Sequence, residues 1–288
     1  MKLLIIGSTG LVGTNIAGQC RRSDVSVVGT SRRPAADAKE RKLNKNYGDE
    51  VNAVVTDVNP DVVVDTAAFH DVDACDTERD RTWSVNAQGT RNVAAAADDV
   101  GAHMIYLSTD YVFPGLRREA PYSEEDAVAP VNYYAQTKYA GEQAAKVADD
   151  WTVLRTSVVY GLASPNFVTW ALSELRAGNE LDIVDDQIST PTYAPDLARA
   201  CVDVAERGLV GLYHAAGPTS LSRYEFTRHL ADVYGYDKSL VNPISTEEFG
   251  QEAPRPADGS LDSTTLYDAI DHEFRAPREG FENMNRES

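Results

Sequence analysis

The apolar positions of this chain come in short runs set between amphipathic stretches. Residues 3–6 are all apolar and stop at Gly7, and a stretch of helical character follows as far as Arg22. Residues 25–30 read as a second strand. Val51, Val54, Val55 and Val58 recur at helical spacing, which predicts a helix over 49–59 despite its valines and puts Asp57 on the helix surface. The third strand then falls to the short piece before Asn44. Residues 61–69 form a buried strand running into small side chains, 77–100 a helix with Asn86 midway, and 103–107 a further strand. A polar, acidic loop covers 114–130, and 132–147 is helical again before a strand at 151–156. This alternation predicts an α/β architecture with a parallel, doubly wound sheet.

Beyond residue 161 the pattern loosens. Helices are expected near 166–177, 195–207 and 224–234, with a break at Pro191 and a short strand at 211–216. Residues 243–261 read largely as loop, and the polar tail from Glu279 is expected to be mobile. The expected organisation is a nucleotide-binding domain over 1–160, with a returning segment at about 193–216, and a smaller lobe from 161–192 and 217–288. The cleft between that lobe and the carboxyl edge of the sheet should hold the substrate.

Composition narrows the function. With 45 Asp plus Glu against 27 Lys plus Arg, the formal charge of the 288 residues is -18, which makes nucleic acid and anionic membranes poor partners. Lysine is scarce, with seven in the chain, and an acidic surface poor in ammonium groups resembles that of halophile proteins. Cys20, Cys75 and Cys201 are far apart, as are the five histidines, so buried thiols in a reducing compartment are expected and no metal site. The first apolar run reaches Gly7 too early for a signal sequence, and no later run approaches membrane-spanning length; a cytoplasmic protein is expected.

Three stretches carry candidate chemistry. Gly7, Gly10 and Gly13 form a Gly-x-x-Gly-x-x-Gly turn between strand and helix, where backbone can approach a pyrophosphate and a helix N-terminus offers free N–H groups. Thr9, Leu11 and Val12 belong to the same turn. After the second strand stand Ser31, Arg32 and Arg33 rather than an acidic residue, which favours NADP over NAD unless both arginines are simply solvated. Asn44 and Lys45 would lie at the adenine edge, and Ala67, Ala68 and Phe69 end a strand with room for a cofactor. The second stretch, 108–113, delivers Thr109, Asp110 and Tyr111 to that edge of the sheet. In the third, Tyr134 and Lys138 are four apart on one helix face, where an ammonium can draw a phenol toward neutrality. Tyr133 lacks such a partner.

With these pieces in place the chain resembles the extended short-chain dehydrogenase/reductases, and within them the dTDP-4-dehydrorhamnose reductases, almost end to end. The glycine turn and Tyr134 with Lys138 mark the superfamily; Ser108-Thr109-Asp110-Tyr111-Val112-Phe113, Tyr213-His214-Ala215-Ala216-Gly217 and Arg255-Pro256 are more specific to the reductases. The resemblance implies a Rossmann-type sheet and hydride transfer from NADPH to C4 of a nucleotide-linked keto sugar. Tyr134 would be the general acid, Lys138 would lower its pKa and bind the nicotinamide ribose, and Thr109 would hold the keto oxygen. Gly10, Leu11 and Val12 would bind pyrophosphate, Asn44 and Lys45 the adenine side, and Ala67, Ala68 and Phe69 the middle of the cofactor. Asp110, Tyr111 and Val158 would face the sugar. Asn44 stands where many members have Asp, Ala135 where Gly is usual, and Val158 where members often carry Trp. Two alternatives stay open: a reductase or epimerase of another nucleotide sugar, and a non-catalytic subunit like the regulatory subunit of methionine adenosyltransferase. A homodimer is expected on frequency alone.

Overall fold

The computed structural model describes residues 1–21, 25–34, 40–116, 118, 120–163 and 165–287. Among these, seven strands build one parallel sheet. Six are β1 (Lys2–Ile6), β2 (Ser26–Ser31), β3 (Arg41–Lys42), β4 (Val62–Asp65), β5 (His103–Thr109) and β6 (Trp151–Thr156). The seventh, Gly211–His214, pairs with β6. Across the sheet the order is β3-β2-β1-β4-β5-β6 and then the seventh strand, so the winding reverses between β1 and β4. A crevice opens outside the carboxyl ends of the strands at such a reversal.

Side chains alternate across each strand, which explains why short apolar runs suffice. Leu3 and Ile5 of β1 pack on one face with Ile16, Leu197 and Val204, while Leu4 and Ile6 pack on the other with Val51, Val55 and Met104. Each such buried aliphatic side chain contributes about 1.5–3 kcal/mol. The helix expected over 49–59 is α2 (Gly48–Val58), with Val51, Val55 and Val58 buried and Asp57 exposed in an ion pair with Arg41. Helix Ala194–Arg207 packs against α1 (Leu11–Cys20) beneath the sheet.

The structure corrects the sequence reading in four places. The helix expected over 77–100 is broken at Glu78 and contains a π-helical turn at Ser84–Gln88, which turns the Asn86 side chain inward. The strand expected at 103–107 runs on to Thr109, so the Thr109 hydroxyl ends a strand. Within 243–261, Val241–Ile244 pairs with Leu181–Val184, and Ser245 caps the short helix Thr246–Phe249. The tail is not a mobile strand of polar residues: Pro277–Glu287 is a helix whose Phe281 and Met284 are fully buried. A polar composition hid an apolar pair three residues apart on one face.

Those two side chains join a second core with Tyr160, Leu172, Phe226 and Val241. Leu266, Ile270 and Phe274 instead pack beneath the sheet, so the unforeseen helix Thr264–Ile270 belongs with the sheet although it lies within 217–288. Among the described residues no helix is long and apolar enough to cross a membrane.

Candidate active site

A cleft of about 630 Å³ runs along the carboxyl edge of the sheet, bounded on its far side by residues of the second core's segment. Its floor begins at the glycine turn. Gly7 has φ +90°, and a Cβ there would lie 3.1 Å from the Cβ of Ala67. Gly13 does not line the cleft; a Cβ on it would meet the Gly7 carbonyl at 2.4 Å, so its absence lets α1 start hard against the turn. The N-cap Gly10 offers no side chain to the first turn, which leaves the amides of Leu11, Val12 and Gly13 without intrahelical partners. Thr9, Gly10, Leu11 and Val12 line the cleft there. Free amides at a helix N-terminus with no side chain in the way fit a dinucleotide's pyrophosphate.

At the end of β2, Ser31 and Arg32 line the cleft and Arg33 does not; the Arg33 N–H donates to Ser31 Oγ at 3.2 Å. Asn44 lines the same end. Lys45 departs from expectation. Its Nζ donates to Asp65 Oδ2 at 2.7 Å, to the Ala67 carbonyl at 2.6 Å and to Thr90 Oγ1 at 3.2 Å, and both ion-pair partners are buried. The ammonium therefore ties β4 and the Ala67 turn together under the floor, and only the rest of Lys45 can meet an adenine. Ala67, Ala68 and Phe69 all line the cleft. Asn86 holds this segment: its Oδ1 accepts from the Phe69 N–H at 2.8 Å, and its Nδ2 donates to the Phe69 carbonyl at 2.9 Å and to Thr137 Oγ1 at 3.1 Å.

The helix Tyr133–Ala145 presents the reactive pair. Asn132 caps it by accepting from the Ala135 N–H at 2.8 Å, and Gly141 lets it approach β5 so closely that a Cβ would lie 2.2 Å from the Tyr106 hydroxyl. Tyr134 and Lys138 face the cleft, whereas Tyr133 lies under the Arg79 guanidinium, 4.0 Å from its ring centroid. Lys138 Nζ donates to the Leu107 carbonyl at 2.5 Å and sits 4.2 Å from the Tyr106 ring centroid. Burial, helped by the neighbouring Lys45 ammonium, pushes the Lys138 pKa down to about 7. The Tyr134 phenol goes the other way: burial first, then the Asp110 carboxylate, push its pKa up, and the Thr109 hydroxyl opposes them by hydrogen bonding. Desolvation thus dominates the phenol, which keeps its proton at neutral pH.

Thr109 ends β5. Its hydroxyl donates to Asp110 Oδ1 at 2.9 Å and accepts from the Tyr111 N–H at 3.2 Å. Asp110 Oδ2 accepts from Ser157 Oγ at 2.7 Å. Burial lifts the Asp110 carboxyl to about 6 against these hydrogen bonds. Beneath the site, Arg155 grips Glu142 through two bonds of 2.9 and 2.8 Å, and Ser108 Oγ donates to the same carboxylate at 2.6 Å. This pairs β5, β6 and the Tyr134 helix in one fixed arrangement.

Val158 lines the cleft with φ +42°, a conformation costly for a β-branched residue. The sequence reading missed Asn166, Phe167 and Arg223, which the second core's segment brings to the same cleft. For Arg223 a signal existed: Ser222 and Glu225 form a capping box, which makes Arg223 the first residue of a helix. No His, Cys, Asp or Glu cluster suited to a metal ion occurs among the described residues.

Known proteins resemble this chain over nearly its whole length. A crystal structure of dTDP-4-dehydrorhamnose reductase from Bacillus anthracis str. Ames in complex with NADP has a TM-score of 0.92 at 32% identity, covering 100% of this chain and 99% of that one. A dTDP-4-dehydrorhamnose reductase of Mycolicibacterium smegmatis is 35% identical over 260 residues, 89% of this chain and 76% of its own. The spore coat polysaccharide biosynthesis protein SpsK of Bacillus subtilis is 32% identical over 269 residues, 93% of this chain and 91% of its own. The family described as RmlD substrate binding domain matches residues 1–288, and this chain belongs to that family.

Proposed function

We propose that the protein reduces the C4 keto group of dTDP-4-dehydro-L-rhamnose to give dTDP-L-rhamnose, using NADPH. The observation that carries this reading is the convergence of Thr109, Tyr134 and Lys138 on one cleft with the glycine cradle, in a chain 35% identical to a reductase of that name. NADPH, when bound, supplies the hydride. Leu11 and Val12 amides would hold its pyrophosphate, Arg32 and Ser31 its ribose phosphate, and Lys138 the nicotinamide ribose; NAD is the alternative should Arg32 stay solvated.

The remaining chemistry belongs to the chain's own side chains. Tyr134, its pKa raised, holds its proton at neutral pH, which suits a general acid delivering that proton to the oxygen that develops negative charge at C4. Thr109 must redirect its hydroxyl from Asp110 to that oxygen, and Asp110 then keeps the bond from Ser157. An ammonium on Lys138 stabilises the phenolate that remains. Tyr111, edge-on to Tyr134 with ring centroids 6.1 Å apart, and Val158 would shape the sugar site.

A regulatory subunit is the weaker reading because acid, lysine and hydroxyl all line one cleft. A reductase or epimerase of another nucleotide sugar is the weaker reading because relatives at 35% identity are dTDP-4-dehydrorhamnose reductases. The charge of -18 supports a protein adapted to concentrated salt, the biosynthetic relatives support a cytoplasmic location, and a homodimer rests on the frequency of twofold assemblies. The test is NADPH oxidation in high potassium chloride with enzymatically generated dTDP-4-dehydro-L-rhamnose, beside Tyr134→Phe. Oxidation that the variant loses supports the reading; tight NADPH binding without turnover overturns it.

A further inference from the structure

We infer that Arg223 binds the phosphate groups of the nucleotide-linked sugar and so selects a diphosphate-bearing substrate over a free one; this rests on the reductase reading above. Among the described residues, Arg223 is the one Lys or Arg that the chain beyond residue 160 brings to the cleft. With Asp110, Tyr111 and Val158 it also lines a small chamber that continues the cleft toward Ile188 and Ser189.

The guanidinium is held in place without being neutralised. Its carbon lies 4.8 Å from the ring centroid of Phe167. Its backbone is fixed at the first position of helix Arg223–Tyr234 by the Ser222–Glu225 capping box, and its N–H donates to the Gln187 carbonyl at 3.3 Å. The other buried or half-buried arginines among the described residues each hold a carboxylate: Arg155 pairs with Glu142 and Arg255 with Asp73. No described carboxylate comes within ion-pair distance of Arg223. The Asp110 carboxylate, which acts on it electrostatically, accepts hydrogen bonds at both oxygens from Thr109 and Ser157.

A guanidinium stacked on a ring leaves its N–H edge for a ligand, and its planar fork matches two phosphate oxygens at once. The need is also electrostatic. A chain of charge -18 surrounds an anionic substrate with like charge, and a fixed cation at the substrate end offsets that repulsion at contact distance, where added salt screens least. A neutral sugar alone would leave this cation unmatched.

The test is calorimetric titration of the NADP-saturated full chain with dTDP and, separately, thymidine, for the native protein, Arg223→Gln and Arg223→Lys. Expected is a loss of dTDP affinity of about 10- to 100-fold in Arg223→Gln, the range for hydrogen bonds between charged groups, with a smaller loss in Arg223→Lys. Thymidine affinity, NADP affinity and thermal midpoint should stay at native values. An unchanged dTDP affinity in Arg223→Gln overturns the assignment and leaves the reductase reading standing. Equal losses for dTDP and thymidine also overturn it, since Arg223 would then only shape the pocket. A native protein that binds neither ligand overturns both readings.

Discussion

Tyr134 and Lys138 share a helix face yet have pKa values displaced in opposite senses, and each displacement has a measurable outcome. Burial keeps the phenol protonated, so Tyr134→Phe should lower turnover by about a hundred- to ten-thousand-fold while NADPH still binds; fluorescence titration and steady-state rates separate the two. Lys138 titrates near 7 in the cofactor-free protein, and an anionic dinucleotide favours its charged form. Below that pH the lysine is already charged and NADPH affinity should be flat. Above it, binding must take up a proton, so affinity should fall by at most about tenfold per pH unit, a slope that Lys138→Met removes. The folding of the cofactor-free protein runs the other way: between about pH 7 and the ordinary lysine value of 10.5 the unfolded chain binds more protons, so this group makes the fold more stable as pH rises through that window. At this scale Tyr134, Lys138 and Thr109 were legible because helical spacing and a strand end announce them. Lys45 was not, since nothing local reveals that Asp65, twenty residues on, captures its ammonium.

The elements are joined by a few buried polar contacts whose removal should be costly. Arg155→Met leaves Glu142 charged and unpaired between β5, β6 and the Tyr134 helix, and urea denaturation should show a loss of about 3–5 kcal/mol. Phe281→Ala should cost about 3–5 kcal/mol by the same measurement, because its ring packs on Tyr160 and Phe226 in the second core. A tail that was merely a polar fringe would tolerate that change. Periodicity found α2 through its four valines, whereas the last helix shows only Phe281 and Met284 among charged neighbours. The π-helical turn at Ser84–Gln88 likewise has no local signature; it exists because Asn86 has partners at Phe69 and Thr137.

For the whole molecule the strongest global property is charge. Added potassium chloride shortens the Debye length from about 10 Å at 0.1 M to about 3 Å at 1 M, which weakens the self-repulsion of a chain at -18. The thermal midpoint and activity should therefore climb with salt; indifference to it in a scanning experiment would refute salt adaptation. The parallel, doubly wound sheet was legible from the alternation of strands and helices, but the second core was not, because Tyr160, Leu172, Phe226 and Phe281 come from segments far apart in sequence. Asn86 finally sets a limit on how such a molecule can change. It spans the gap between the Phe69 segment and the helix bearing Tyr134, acting as a strut of fixed length. A sugar of different size cannot be accommodated by spreading those two walls apart. Room for a new substrate is to be sought at Val158, Phe167 and Arg223, which line the cleft on segments that Asn86 does not tie.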